Sequence, residues 1–363
     1  MATNLKYIPV FRTRQQEILV LSTFEFEKRI FPLIEIIKEK DRANSTATFV
    51  ECYQKIITSI KAEKVFVDLP IYLKESGSMQ DEVLAFSRSI ISNKENRTQR
   101  LIDIGKMNNK VIPVISSYVS KTGEADTLKP QFDLLVPHFD SIAIRMFIPS
   151  FDTDLPEVTR LLRASDYLII DLDTITPNTK TPVFKKLIEK LNAITICPKI
   201  ILKSAINSDI QNTLMEHGSI IYEADNSQIE TYRDFGAIAF GDYVGIKKDD
   251  LTAGGTISPG FIFYDATENS FYGFKGLGKD DRTLADFENI IVPAVIESAA
   301  AKRMAPPLLY LSDENKGWQT INKISRKEES GKSQAKFKRI AMEHYLHCIR
   351  TNIRGGEYDD KTV

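Results

Sequence analysis

A charged or hydroxyl residue stands at or near the end of each of eight short apolar runs. In chain order these residues are Arg12, Glu35, Asp68, Ser117, Arg145, Asp171 with Asp173, Lys203 and Asp242. The carboxylates among Glu35, Asp68, Asp171 and Asp173 are hard oxygen donors of the kind that Mg²⁺ or Mn²⁺ prefers. Arg12 and Arg145 carry planar forks that match phosphate or carboxylate. Lys203 would serve as a general base, an imine former or an anion clamp. The candidate catalytic set is therefore Glu35, Asp68, Asp171 and Lys203. Arg12, Arg145, Ser117 and Asp242 are candidate ligand-binding residues, and Glu35, Asp68, Asp171 and Asp173 candidate metal ligands. A charged residue also ends a strand simply because the chain is leaving the core, and opposite charges round a rim can be a structural ion-pair network. For any one position that plain reading is favoured. For the set, which keeps phase on several strands, a functional mouth is favoured.

The elements that position these residues repeat. The runs are Tyr7–Arg12, Ile30–Ile36, Val65–Leu69, Val111–Ser117, Ser141–Phe147, Tyr167–Asp173, Lys199–Ala205 and Ile238–Val244. Each is short, apolar and rich in β-branched residues, which predicts a strand. Helical spacing lies between most of them. Phe49, Cys52, Tyr53, Ile56, Ile57 and Ile60 form one apolar stripe; Val183, Phe184, Leu187, Ile188 and Leu191 form another. A parallel crossover with its helix needs around 30 residues, close to the observed repeat. The prediction is an α/β fold, a (β/α)8 TIM-like barrel, preferred over an open doubly wound sheet because the count reaches eight and no glycine-rich first turn is present. Pro9, Pro32 and Pro113 are expected near strand starts, where a missing donor is tolerable.

Beyond Val244 the texture changes. The stretch from Lys247 to Gly260 reads as a loop, and the apolar segments around Ala266–Asn269 read as a β-hairpin over 260–274. A helix over 283–302 is expected to close the barrel as its eighth. The division expected is a barrel over 1–304 and a C-terminal helical extension over 305–363. That extension would dock on the barrel through Trp318, Ile321, Ile324, Phe337, Ile340 and Tyr345. Between Arg326 and Arg354 there are 8 Lys/Arg against 3 Asp/Glu, in a chain whose formal charge is −1. The favoured reading is a basic tail leaning on an acidic barrel surface. The sharper one has Lys332, Lys336, Lys338, Arg339 and Arg350 meeting a nucleic acid or an acidic protein.

Composition sets outer bounds. With 363 residues, 42% hydrophobic and 27% charged, the chain is globular, and its near-neutral charge argues against a surface that grips nucleic acid throughout. Cys52, Cys197 and Cys348 form no CxxC pair, which suits a reducing compartment. No secretory signal and no membrane-length apolar run is read, so a cytoplasmic location is expected.

Three further motifs have plainer structural readings. Asp171-Leu-Asp173-Thr174 has the outline of an aspartate-nucleophile motif, but its threonine is displaced and it lies mid-chain. Gly276 to Asp280 lacks a hydroxyl residue after Lys279, so a hairpin exit is preferred to a phosphate loop. His344 and His347 share a helix face and would hold a metal only with further ligands; helix packing is preferred.

The run Tyr7-Ile8-Pro9-Val10, Arg14-Gln15-Gln16-Glu17 and Phe31-Pro32-Leu33-Ile34-Glu35, with Gly317-Trp318 and a late helix carrying His344, resembles the phage and bacterial beta protein family. The resemblance implies a prokaryotic or phage protein in a phage-defence or mobile-element setting. It supplies no catalytic residues. Two functions are therefore expected from the residues themselves. One is a metal-dependent hydrolase or lyase acting on a small anionic or phosphorylated ligand or a nucleotide. The other is a non-catalytic barrel that binds a ligand or a protein.

Overall fold

The structure, a computed structural model, describes residues 4–42, 45–106, 108–212, 214–248, 251, 257–278 and 280–359. Its first compact unit holds the chain up to Lys203, then Ser227–Asp242 and Leu251. Eight strands form a closed parallel barrel: β1 (Tyr7–Arg12), β2 (Leu33–Glu35), β3 (Val65–Asp68), β4 (Val111–Ile115), β5 (Ala143–Phe147), β6 (Tyr167–Asp171), β7 (Lys199–Leu202) and β9 (Ala239–Asp242). β8 (Ser219–Ile220) lies outside it. All eight predicted runs supply a barrel strand. Val10, Leu33, Phe66, Val114, Ile144, Ile169, Ile201 and Phe240 are all buried. Pro113 lies in the middle of β4 opposite Val67, and Pro9 inside β1 opposite Asp242, so neither marks a strand start. Each removes one ladder donor only.

Register decides which residues enter the barrel. Paired residues on neighbouring parallel strands point to the same face, and faces alternate along each strand. Val10 pairs with Leu33 and Leu33 with Phe66, while Arg12 pairs with Glu35 and Glu35 with Asp68. Phe66 meets Tyr167 edge-on, with ring centroids 5.2 Å apart, which identifies this as the inner face. On the far side Arg145 pairs with Ile169, Phe147 with Asp171, and Asp171 with Leu202. Leu202 pairs with Gly241, and a Cβ on Gly241 would stand 2.7 Å from the Ile8 carbonyl and 3.0 Å from Leu202.

The helices form as their apolar spacing requires. Helix Phe49–Ser59 opens on a capping box, Thr48 with Glu51, and buries Phe49, Cys52, Tyr53, Ile56 and Ile57. Helix Pro182–Asn192 buries Phe184, Leu187 and Leu191, whereas Val183 is exposed.

The second unit holds Ser204–Asn226, residues 243–248 and the chain from 257 onward. β10 (Gly260–Asp265) and β11 (Ser270–Lys275) form the expected hairpin, and β8 pairs with β11 to make a three-stranded sheet. This differs from the expected division at residue 304. The hairpin and helices Val292–Glu297 and Ala299–Met304 belong with the C-terminal helices, so the segment 283–302 is not placed as an eighth barrel helix. The physical reason is aromatic. Phe337 stacks on Phe287 at 4.2 Å and meets Phe261 edge-on at 5.4 Å, Tyr345 meets Tyr264 at 4.6 Å, and Trp318 lies 6.2 Å from Phe263. Residues expected to dock on the barrel thus have described partners in the hairpin. Within the loop expected over 247–260, residues 249, 250 and 252–256 lie outside the described residues, as does Lys279 of the glycine-bearing hairpin exit.

Gly241 tests the register. Gly241→Ala should lower unfolding stability by about 1–3 kcal/mol through overpacking against backbone, and chemical denaturation reads the loss directly. An unchanged midpoint would contradict the close approach of β9 to β1.

Candidate functional site

Five of the strand-end residues meet at the C-terminal mouth, where barrel enzymes build their sites. The Arg145 guanidinium is the hub. Its Nε and Nη2 donate to Asp171 Oδ2 at 3.1 and 2.5 Å, and its Nη1 donates to Glu35 Oε1 at 3.0 Å and Asp68 Oδ2 at 3.1 Å. Arg12 Nε donates to the other Glu35 oxygen at 3.0 Å. The side chains of Arg145, Glu35, Asp68 and Asp171 are all 0% exposed.

Two residues complete the cluster that the sequence reading missed. Arg97, on helix Lys94–Gly105, reaches Asp68 Oδ1 at 3.2 Å, the Leu69 carbonyl at 2.8 Å and Gln131 Oε1 at 2.6 Å. Tyr72 follows β3; its hydroxyl accepts from Arg145 and donates to Glu35 at 2.6 Å, with Asp68 Oδ2 at 3.2 Å. The Arg145 guanidinium lies 4.4 Å from the Tyr72 ring centroid and 5.4 Å from that of Phe147. Both rings are half-buried. Neither residue ends an apolar run, so nothing in the strand pattern marks them. An arginine inside a helix's apolar stripe is the one signal that would have found Arg97.

Ser117 and Asp242 have described partners outside this cluster, and Asp173 meets it through its backbone. Asp173 is exposed, has φ 54°, and its N–H donates to Asp171 Oδ1 at 2.8 Å, so the pair forms a turn. Ser117 Oγ accepts from Val119 N–H at 3.1 Å and hydrogen-bonds Asp154. Burial pushes the Asp154 carboxyl up, opposed by bonds from Ser150 and Ser117. Lys203 and Asp242 are buried in the phase of Lys199 and Phe240. That phase is the outer one. Lys199 Nζ donates to the Leu191 and Ile194 carbonyls, and Phe240 meets Tyr232 at 5.5 Å. Asp242 accepts from the Tyr7 hydroxyl at 2.7 Å.

The electrostatics are those of a buried ion-pair network. Among the described ion pairs, Glu35, Asp68 and Asp171 face Arg12, Arg97 and Arg145. Burial pushes the Asp68 carboxyl up; Arg145 and Arg97 pull it down, and Glu35 pushes it up again. The donor set does not fit a divalent cation. Each oxygen of the three carboxylates already receives a guanidinium, phenol or, at Asp171 Oδ1, backbone amide hydrogen, and among the described residues no group of three or more His, Cys, Asp or Glu is placed to hold a metal. His344 and His347 also diverge. His344 Nε2 lies 2.7 Å from the Tyr264 carbonyl and His347 Nε2 lies 2.9 Å from that of Leu309. The helix-packing reading of this pair fits those contacts. Of the basic tail, Lys336 pairs with Glu329, while Arg350 is buried and shares Glu314 with Arg354.

Two measurements follow from these charges. Arg145→Met should cost about 3–5 kcal/mol at neutral pH, because it leaves three buried carboxylates short of a cation. Burial already pushes the Asp68 carboxyl up, and without Arg145 to oppose it that carboxyl rises further, so the deficit shrinks as pH falls and it protonates. Unfolding midpoints at pH 7.5 and 5 read this; a deficit that ignores pH would point to lost packing alone. His344 has the opposite sign. Burial lowers its pKa from 6.5 to about 4. The stability it contributes is complete above pH 6.5 and is lost as pH falls toward 4, by about 3 kcal/mol. His344→Gln should flatten that slope.

A family model described as Beta protein matches residues 7–350, nearly the whole chain. No curated protein matches it. No helix among the described residues is long and apolar enough to cross a membrane. A barrel with this mouth, spanned by that match, belongs to the beta protein family.

Proposed function

We propose that this chain is a binding protein whose barrel mouth recognises a small polar ligand without transforming it. The observation that supports this is the buried ion network round Arg145. A nucleophile, a general base or a metal ligand needs a lone pair to offer, and Glu35, Asp68 and Asp171 direct theirs at Arg12, Arg97, Arg145 and Tyr72. Arg145 likewise spends donors on all three carboxylates, which leaves it poorly placed to clamp an anion.

Such a network suits preorganisation. A buried set of charges is seldom more stable than an apolar filling of the same volume, but it admits only one arrangement of the groups it joins. Here it holds Tyr72, whose ring lies 4.6 Å from that of Phe147. These two half-buried rings offer stacking to a planar ligand, so nucleotides are the first class to try. The family resemblance adds the setting, phage–host conflict or a mobile element, in which ligand sensing would regulate a partner. The metal-assisted hydrolase or lyase acting through Lys203 and the carboxylates is the competing reading.

The test is a thermal-shift screen of nucleotides and phosphorylated metabolites, with and without Mg²⁺ or Mn²⁺, followed by mass spectrometry of each hit. Expected are a saturable shift, its loss in Tyr72→Ala, and ligand recovered unchanged. Metal-dependent product that disappears in Asp68→Ala or Lys203→Ala would overturn the binding reading and establish the enzyme.

A further inference from the structure

The second unit carries a cavity of about 680 Å³ that the barrel mouth does not involve. It lies between the turn at Pro307–Glu314 and the C-terminal end of helix Gln334–Arg354. The volume falls in the range of small-ligand and side-chain pockets, roughly 300–1,000 Å³. We infer that this cavity is a docking site for a basic, apolar segment of a partner protein, taking a lysine or arginine side chain beside a leucine-like one.

Apolar surface is presented there on a rigid support. Leu308 is 42% and Leu309 65% exposed, and both line the cavity with Pro307. Exposed leucines on a loose loop would mean little. Here the turn is fastened to its unit at three points. His347 Nε2 meets the Leu309 carbonyl at 2.9 Å, the Tyr310 hydroxyl donates to Asn352 Oδ1 at 2.7 Å, and Asn315 Nδ2 donates to the Tyr310 carbonyl at 2.7 Å. His347 works as a neutral strut. Arg350 Nη2 lies 3.2 Å from its Nδ1, and an arginine can only donate, so Nδ1 accepts and the ring hydrogen sits on Nε2. Burial lowers the His347 pKa, which keeps that state at neutral pH. Two leucines held this way lose little freedom when a partner covers them.

Charge selects the partner. The lining carries Asp313, Glu314 and Glu357 against a single guanidinium, Arg354. Glu314 is taken by Arg354 at 2.8 Å and by Arg350, which stands behind it, at 3.3 Å. Asp313 accepts from Gln319 at 3.1 Å, and no described ion pair involves Asp313 or Glu357. The 21-residue helix Gln334–Arg354 also ends here, and a helix C-terminus carries partial negative charge. Leucine rim, acidic lining and negative helix end all favour a cation with apolar neighbours. They disfavour nucleic acid, the anionic partner that the charge of residues 326–354 suggests.

The experiment uses the full chain and two short fluorescent peptides, one alternating leucine with lysine and one alternating leucine with glutamate. Expected is saturable binding of the lysine peptide, weakened by salt, and none of the glutamate peptide. The double variant Asp313→Asn, Glu357→Gln and, separately, Leu309→Ser should each weaken binding about tenfold, with the unfolding midpoint held near wild type as proof of folding. Equal binding of both peptides would mean unspecific apolar contact and overturn the proposal. So would lysine-peptide binding that both variants leave intact. A partner at this site is independent of the mouth, so Tyr72→Ala should bind the lysine peptide as wild type does.

Discussion

Three carboxylates converge on one buried guanidinium, and the architecture round the barrel mouth answers to that fact. A charge removed from water must be compensated within a few ångströms or it will not stay charged. Arg145 alone balances one of Glu35, Asp68 and Asp171. The remaining two require further cations, which arrive from different places: Arg12 from β1, in register with Glu35, and Arg97 from helix Lys94–Gly105. That demand explains why a helix with an apolar stripe keeps an arginine inside it. Tyr72 adds a second donor to a Glu35 oxygen that already accepts from Arg145.

The same closure decides which strand-end residues can take part. Around the ring the inner phase runs through Arg12, Glu35, Asp68, Arg145 and Asp171. It then reaches Leu202 and Gly241. On β7 and β9 the inner positions are therefore apolar or absent as side chains. Gly241 leaves room for Leu202 against the Ile8 backbone, so this sector is filled by packing rather than by charge. Lys203 and Asp242 fall one step out of phase. The polar half of the mouth spans β1, β2, β3, β5 and β6, and the apolar half completes the circle.

That phase error marks the limit of what the sequence made legible. Strand composition and spacing are local properties, so all eight barrel strands could be read in order, and the network members Arg12, Glu35, Asp68, Arg145 and Asp171 with them. Register between strands is set across the closed sheet and is invisible along the chain, which is why Lys203 and Asp242 looked equivalent to the rest. The second unit hid for a related reason. β8 has two residues, Ser219 and Ile220, and exists only because β11 lies beside it, some fifty residues on in sequence. Residues 204–226 leave the barrel between β7 and β9 with no composition change to announce it. The helical extension was recognised by its spacing, but the aromatic faces of the hairpin that receive Phe337 and Tyr345 belong to a segment whose own strands looked like part of the barrel.

The two histidines of the long helix show how one spacing serves two outcomes. An i, i+3 pair shares a helix face and is as suitable for metal as for packing, so the pattern alone carries no preference. What separates the outcomes is the second ring nitrogen. A metal ligand leaves one nitrogen to the ion and gives the other to a carbonyl or carboxylate. In His344 both are used by protein, with Asn315 Nδ2 at 2.8 Å from Nδ1 and the Tyr264 carbonyl at 2.7 Å from Nε2, and the ring stacks on Phe263 at 4.3 Å. In His347 Arg350 and the Leu309 carbonyl take the same two places. Each imidazole thus joins the helix to a different neighbour, one to the hairpin and one to the turn that displays Leu308 and Leu309. Neutral histidine suits the task because it can donate on one side and accept on the other without bringing a charge into the core.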